Sequence, residues 1–190
     1  NSLIALSSEL TLFAPTEEQP DLQAVIDTAL ACAADADPSE CRRLDLIVSV
    51  STGNGCGWVE IEDGVGTTLA GPFVASLSAG NALHGQVPRF EFVLPYPTES
   101  GFVDLTLDIR NVIVTATVGD GALSDIVLGG AIEESAFEAM LMEVLPLLAD
   151  EPTFEDVEPI LANLYDVQLS GQCSALSVGF TGTATRVPTP

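Results

Sequence analysis

The segment from Phe102 to Val118 constrains the fold most, because apolar and polar residues alternate along it with one break in phase. Apolar residues stand at odd positions from Val103 to Ile109 and at even positions from Val112 to Val118. A strand places alternate side chains on opposite faces, so a shift of one residue moves a whole set across the sheet. We therefore predict a long strand with a β-bulge near Arg110-Asn111, which returns the apolar side chains to one face.

A hairpin turn and an amphipathic helix are predicted after this strand. Asp120-Gly121 is a strong signal for a two-residue turn, and a return strand through Ala122 to Leu128 follows it. Ser135 and Glu138 have the spacing of a helix capping box, and Pro146 is expected to kink or end the last turn. The apolar residues at helical spacing between these signals are Phe137, Met140, Leu141, Val144, Leu145 and Leu148.

The remaining elements are short. Period-two alternation predicts strands at Leu10–Leu12, Leu44–Val50, Trp58–Ile61, Phe73–Leu77, Arg89–Leu94 and Ala175–Thr185. Helical spacing covers Leu22–Ala33, and a shorter helix is suggested by Val157, Ile160, Leu161 and Leu164, where Pro159 fits only in the first turn. We predict one domain over residues 1–190, with 186–190 as a tail or linker. Its fold class is α+β and β-rich: one or two curved antiparallel sheets, as a sandwich or partial barrel, covered by two to three helices.

Charge limits the classes of partner. The chain of 190 residues has 28 acidic and 5 basic residues, a formal net charge of −23, and it contains no lysine. Phosphate backbones and anionic membrane surfaces would repel it, so nucleic acid is not expected as a partner. Hydrophobic residues make up 47% of the chain, which excludes intrinsic disorder. Such a composition indicates apolar surface used in protein contacts, or else simply reflects a GC-rich genome.

The chain is predicted to be exported. No segment has the roughly 20 consecutive apolar residues that a transmembrane helix needs. The chain begins Asn1-Ser2-Leu3, which suggests a processed product of export, and we expect an extracytoplasmic location.

Four cysteines support the same expectation. They allow three pairings, of which we predict Cys32 with Cys41 and Cys56 with Cys173. Each bond would add about 2–4 kcal/mol of stability. The alternative is buried free thiols in a cytosolic protein. Zinc is disfavoured, because no C-x-x-C pair is present and His84 is the one histidine.

Catalytic residues are scarce, so we predict that the chain is not an enzyme and holds no cofactor. His84 lies in a Gly- and Asn-rich context that is typical of an exposed loop. The absence of lysine excludes Schiff-base chemistry and a P-loop lysine, and no G-x-S-x-G sequence is present. The glycine-rich segment 53–57 is followed by a strand pattern, which favours a hairpin turn over a dinucleotide-binding loop.

Acidic clusters provide one candidate metal site. Asp35, Asp37 and Glu40 could bind calcium in a loop between two cysteines, although the pattern departs from an EF-hand at Glu40 and at Leu46. Glu60 and Glu62 lie on one strand face beside Trp58, an arrangement that a sugar-binding site could use. A solvated strand face is the simpler interpretation of that pair.

The last half of the chain resembles a known kind of domain. The segment Val103–Ile132, with Asn111-Val112 and Gly119-Asp120-Gly121, and the terminal Cys173–Val178 strand resemble the uncharacterised acidic exported or lipoprotein-type domains of myxobacterial kind. The resemblance implies an envelope or extracellular location and a β-rich domain. It brings no catalytic or binding residues.

The sequence therefore predicts a non-enzymatic, exported structural or interaction subunit. Its expected partners are other proteins or further copies of itself in an extracytoplasmic assembly. The first alternative is an extracytoplasmic binding protein for lipid or another apolar small molecule, because curved strands and amphipathic helices could enclose a cavity. The second alternative is a calcium-stabilised surface module.

Overall fold

The structure is a computed structural model. It describes residues 28, 31–32, 37, 41–42, 46–53, 56–78, 80–98, 101–147, 153–161, 164–169 and 173–185. The predicted strand at Leu10–Leu12 and the predicted tail at 186–190 lie outside these residues. Most of the predicted helix Leu22–Ala33 also lies outside them, but Thr28 and Ala31 within it are helical.

Strands dominate the described chain. They are β1 (Leu46–Gly53), β2 (Cys56–Asp63), β3 (Thr68–Leu77), β4 (Ala82–Thr98), β5 (Gly101–Gly119), β6 (Ala122–Glu133), β7 (Val167–Gln168) and β8 (Cys173–Thr185). The helices are α1 (Glu134–Val144), which continues into a 3-10 turn (Leu145–Leu147), and α2 (Phe154–Leu161). None of the helices described is long and apolar enough to cross a membrane.

The strands form one sheet in the order β1-β2-β3-β4-β5-β6-β8-β7. The pairings of β1 with β2, β2 with β3, β3 with β4, β5 with β6 and β7 with β8 are antiparallel. Mostly consecutive strands joined by short turns are typical of antiparallel sheets. The predicted fold class, a β-rich α+β domain, is confirmed.

The chain divides into two compact units, and each has its own buried residues. The first comprises Asn1–Asp45, Phe92–Asp108 and Ile132–Val178, and the second comprises Leu46–Glu91, Ile109–Ala131 and Gly179–Pro190. Large side chains buried in the first include Leu94, Leu107, Phe137, Val157, Leu161 and Leu176. Those in the second include Val59, Leu83, Phe90, Ile109 and Val112. Burying each such side chain contributes about 1.5–3 kcal/mol.

The predicted bulge in β5 is present. Arg110 pairs with Ala131 and Ile113 with Gly129, so β5 has two residues between these pairs where β6 has one. Asn111 lies at this bulge and has a left-handed conformation with φ of 50°, which asparagine tolerates better than most residues. The buried positions accordingly change from odd numbers up to Ile109 to even numbers from Val112. The phase break in the sequence is thus the signature of this bulge.

Two further features of the β5–β6 hairpin follow from local sequence. Gly119 pairs with Ala122, so Asp120-Gly121 forms the predicted two-residue turn, and Gly121 has φ of 82°. A second register shift lies between Thr115 and Thr117, where β6 contributes the extra residue. Asp125 has φ of 50° at that point.

The start of α1 differs from the prediction. The N-cap is Glu133, which makes no side-chain capping hydrogen bond. The predicted capping box of Ser135 and Glu138 is wrong, because β6 runs directly into the helix and Ser135 already has helical backbone. The end of the helix is as predicted, since α1 stops at Val144 and Pro146 lies in the 3-10 turn that follows.

The start of helix α2 is capped by a contact between Thr153 and Asp156 that the sequence prediction missed. Asp156 Oδ2 accepts hydrogen bonds from Thr153 Oγ1 at 2.6 Å and from the Thr153 backbone N–H at 2.9 Å. These bonds, the side-chain bond first, lower the pKa of Asp156. Because the helix begins at Phe154, Pro159 is its sixth residue and lies beyond the first turn, which corrects the prediction. The helix ends two residues later at Leu161.

The turn between β2 and β3 is organised by one carboxylate. Asp63 Oδ1 accepts hydrogen bonds from the backbone N–H groups of Val65 at 3.0 Å and Thr67 at 2.7 Å. The backbone N–H of Asp63 in turn donates to the Thr67 carbonyl oxygen at 3.0 Å. Hydrogen bonds to the ionised carboxylate, that from Thr67 foremost, lower the pKa of Asp63.

Candidate partner-binding surface

One exposed face of the second unit brings together five residues that stand out in the sequence: Cys56, Trp58, Glu60, Glu62 and His84. Along β2, Val59 and Ile61 are buried, so the alternate residues between and beside them point outward. The register then places the outward residues of β1 and β3 beside them. We call this surface the Trp58 face, and it comprises Ile47, Ser49, Ser51, Cys56, Trp58, Glu60, Glu62, Val74, Ser76 and His84.

Trp58 is the most prominent side chain of this face. It is the one tryptophan of the chain, and it is 58% exposed on a strand whose neighbours in sequence are buried. Its cross-strand partner on β3 is Val74, which is 53% exposed. Two large apolar side chains directly opposite each other form a contiguous apolar patch, which marks an interaction site more often than isolated exposed residues do.

Two carboxylates border this patch. Glu60 lies opposite Ser49, and Glu62 lies opposite Ile47. Both side chains are half-buried, and Glu60 accepts a hydrogen bond from Thr68 Oγ1 at 3.2 Å. The predicted pair beside Trp58 therefore exists, on a face that is open to solvent. Its negative charge lies next to the apolar patch.

Cys56, Ser76 and His84 form a row across three strands. Cys56 lies opposite Ser76, Ser76 lies opposite His84, and the Ser76 hydroxyl donates to the His84 carbonyl oxygen at 3.3 Å. Adjacent strands are about 4.8 Å apart, so the backbones of Cys56 and His84 are separated by about 10 Å. The Ser76 hydroxyl thus binds the backbone of His84, and this hydrogen bond engages neither the imidazole nor the Cys56 thiol.

One of the two predicted disulfides is confirmed. Cys32 and Cys41 are bonded, with their Cα atoms 6.0 Å apart. The Cys41 N–H donates to the Asp37 carbonyl oxygen at 3.0 Å.

Cys56 differs from the prediction, because its thiol is free and exposed rather than bonded to Cys173. The topology gives the reason: β2 pairs with β1 and β3, whereas β8 pairs with β6 and β7. The strands that carry these two cysteines are thus not neighbours in the sheet. The side chain of Cys173 lies outside the described residues.

The calcium candidate is only partly described. Asp37 is exposed, whereas Asp35 and Glu40 lie outside the described residues. Within the described part of the chain, no group of three or more His, Cys, Asp or Glu side chains is arranged to hold a metal ion.

An ion pair joins the disulfide loop to β5 within the first unit. Arg42 Nη1 lies 2.6 Å from Asp104 Oδ1, and Arg42 Nη2 donates to Asp104 Oδ2 at 3.3 Å. Both side chains are about half exposed, at 42% and 50%. Exposed pairs contribute at most about 1 kcal/mol, so this pair positions the segment after Cys41 more than it stabilises the fold.

Among the described residues, Tyr165 has the most strongly shifted pKa. Burial first, then the carboxylates of Glu138 and Glu134, raise the pKa of Tyr165 well above its usual value. Its hydroxyl lies near Glu138 without a well-formed hydrogen bond. The hydroxyl therefore keeps its proton at any physiological pH, and it is not suited to act as a base or a nucleophile.

Comparison with protein-family models, with curated proteins and with solved structures finds no match to this chain. The functional proposal therefore depends on the geometry of the Trp58 face and on the charge of the chain.

Proposed function

We propose that the chain is a non-enzymatic, extracytoplasmic interaction subunit that binds a positively charged protein partner through the Trp58 face. The observation that carries this proposal is the exposed cross-strand pair of Trp58 on β2 and Val74 on β3. Exposed Trp on a rigid element gives a large apolar contact at little cost in conformational entropy. Tryptophan is also among the residues that most often dominate the binding energy of protein interfaces.

Charge defines the kind of partner. Glu60 and Glu62 flank the apolar patch, and the whole chain has a formal charge of −23. A basic partner would be attracted at long range and oriented by these carboxylates. A second copy of the chain would bring the same negative charge to the contact, so a hetero-complex is favoured over a homo-oligomer.

The extracytoplasmic location is supported by the disulfide. A bond between Cys32 and Cys41 is compatible with an oxidising compartment, where such bonds form and persist. The free Cys56 thiol is exposed on the Trp58 face, so a bound partner would cover it.

The test is native mass spectrometry of the protein purified from its source without reduction, beside the variant Trp58→Ala. We expect a hetero-complex for the wild type and loss of the partner for the variant. The variant should remain folded, because Trp58 is 58% exposed and loss of its cross-strand pair with Val74 costs about 0.2–1 kcal/mol. Met142→Ala is the matched control, since Met142 is 56% exposed but lies on α1 in the other unit. It should keep the partner.

Two outcomes would contradict the proposal. Partner retention by Trp58→Ala would show that the Trp58 face is not the docking surface. A monomer with a constant additional mass of a few hundred daltons would instead indicate a carrier of an apolar small molecule.

A further inference from the structure

We propose that the partner binds by adding an extended, basic segment to the outer edge of β1, so that the sheet gains a strand. This inference rests on the proposed function and specifies its chemistry. The segment would alternate Arg or Lys with apolar residues. The basic side chains would lie on the Trp58 face, and the apolar ones on the opposite face.

The edge of β1 has the properties of a strand-addition site. β1 is first in the sheet order, and among the described strands its neighbour is β2 alone. Its eight residues, LIVSVSTG, include neither a charged residue nor a proline. Natural edge strands are usually protected by Lys, Pro, bulges or very short length, and the paired register of β1 is regular over all eight residues.

The inner face of β1 is incompletely covered. Val48 lies opposite Ile61 and Val50 opposite Val59, and both partners on β2 are buried. Val48 and Val50 themselves are only half-buried. Apolar side chains of an added strand would cover these two valines and extend the core by one strand, at a gain of about 25 cal/mol per Å² of apolar surface buried.

The outer face of β1 is suited to long basic side chains. Ser49 and Ser51 are small and exposed, and they separate Glu60 and Trp58 on β2 from the edge of β1 that pairs with no other described strand. An added strand would lie about 10 Å from β2, which is two strand spacings. An extended Arg or Lys side chain can cross the serines, pair with Glu60 or Glu62, and place its cation over the Trp58 ring. Acidic or short side chains would make neither contact.

The experiment uses the full-length protein and synthetic octapeptides. The probe alternates arginine and valine, and two matched peptides replace arginine with glutamate or methylate alternate backbone nitrogens on the edge-facing side. Binding is measured by fluorescence of Trp58, and hydrogen exchange of the β1 amides is measured in parallel. We expect the arginine peptide to bind and to protect β1 amides, and both matched peptides to bind at least about tenfold more weakly.

Variants at Ser49 test the effect of charge on the Trp58 face beside the edge of β1. Ser49→Lys places a cation opposite Glu60 and is expected to weaken the arginine peptide about tenfold or more. Ser49→Glu is the matched control, since it has the same exposure and should bind the peptide at least as well as the wild type. Melting temperatures show that both variants are folded.

The outcomes separate this inference from the proposed function. Equal binding of the methylated peptide, without protection of β1, would overturn strand addition and leave docking on the Trp58 face intact. Equal binding of the glutamate peptide would overturn the charge preference. If no peptide binds at millimolar concentration while the native complex still requires Trp58, the inference fails and the proposed function stands. If the native protein is also monomeric, both fail.

Discussion

The bulge in β5 leaves no space for a side chain at residue 130, so we predict that only glycine fits there without strain. Gly130 lies on β6 between the paired residues Gly129 and Ala131, across from the extra residue of β5. A Cβ atom added at this position would lie 2.6 Å from Ile109 Cγ2 and 2.7 Å from the Arg110 carbonyl oxygen. Both distances are far below van der Waals contact. The second involves backbone that is fixed by the bulge, so it cannot be relieved by rotating a side chain.

The expected cost of Gly130→Ala follows from two opposing effects. Overpacking of this kind destabilises the native state by about 1–3 kcal/mol. Replacing glycine lowers the entropy of the unfolded chain, which offsets about 0.4–1 kcal/mol. The net loss is about 1–2 kcal/mol, and in a chain of this length each kcal/mol lowers the melting temperature by about 2–4 °C. We expect a decrease of about 2–8 °C.

Gly182→Ala is the matched control, because it is also a glycine-to-alanine change in a strand of the second unit. Nothing lies within 4 Å of a Cβ atom at Gly182. This variant should keep or slightly raise the melting temperature. Thermal unfolding followed by circular dichroism measures both variants. Equal melting temperatures for the two would refute the assignment of the close contact at Gly130, and with it the geometry of the bulge.

Three further predictions concern local structure. Hydrogen bonding lowers the pKa of Asp63 in the folded protein, so ionised Asp63 stabilises the fold. This stabilisation is complete above the pKa of the unfolded chain, about 3.9, and is lost as the pH falls through the lower pKa of the folded protein. Asp63→Asn should therefore flatten the dependence of unfolding free energy on pH below about 4, and an unchanged profile would count against this role. Thr153→Ala should lower the melting temperature and increase hydrogen exchange in α2, because it removes the side-chain hydrogen bond to Asp156; unchanged exchange would contradict the cap. Reduction of the Cys32–Cys41 bond, which spans 9 residues, should cost about 2–3 kcal/mol in urea unfolding, and identical midpoints for both redox states would contradict that estimate.

Features with a short-range cause could be predicted from the sequence. The bulge at Asn111 was visible because it shifts the apolar positions of a single long strand, and the Asp120-Gly121 turn because two adjacent residues determine it. The strand β4 was underestimated as Arg89–Leu94, although it extends over Ala82–Thr98. Pro88 and Pro95 flank the predicted segment and favour breaks in a strand, and only the pairing of its first residues with β3 shows that the strand begins before Pro88.

The predicted start of α1 was wrong for a different reason. The spacing of Ser135 and Glu138 matched a capping box, but tertiary structure carries β6 up to Glu133 and leaves no room for a cap at Ser135. At α2 the sequence contains a cap signal of the same spacing, since Thr153 and Asp156 are three residues apart, but the prediction did not include it. Local motifs of this kind are short enough to occur by chance, so the strand before a helix decides which of them acts.

The sequence predicts which residues of β2 belong to the Trp58 face, but not which residues of β3 lie beside them. Alternation alone puts Trp58, Glu60 and Glu62 on one side, whereas the choice of Val74 as neighbour depends on two register shifts between β2 and β3. Without those shifts, counting back from Glu62 opposite Thr68 would place Pro72 opposite Trp58.

Gly71 makes the shifted register possible. It has φ of 107°, and a Cβ atom there would lie 2.7 Å from the Val59 carbonyl oxygen, so only glycine allows β3 to approach β2 this closely. The apolar pair that carries the functional proposal is therefore produced by a backbone irregularity several residues away from it. A sequence pattern read one strand at a time does not include that dependence.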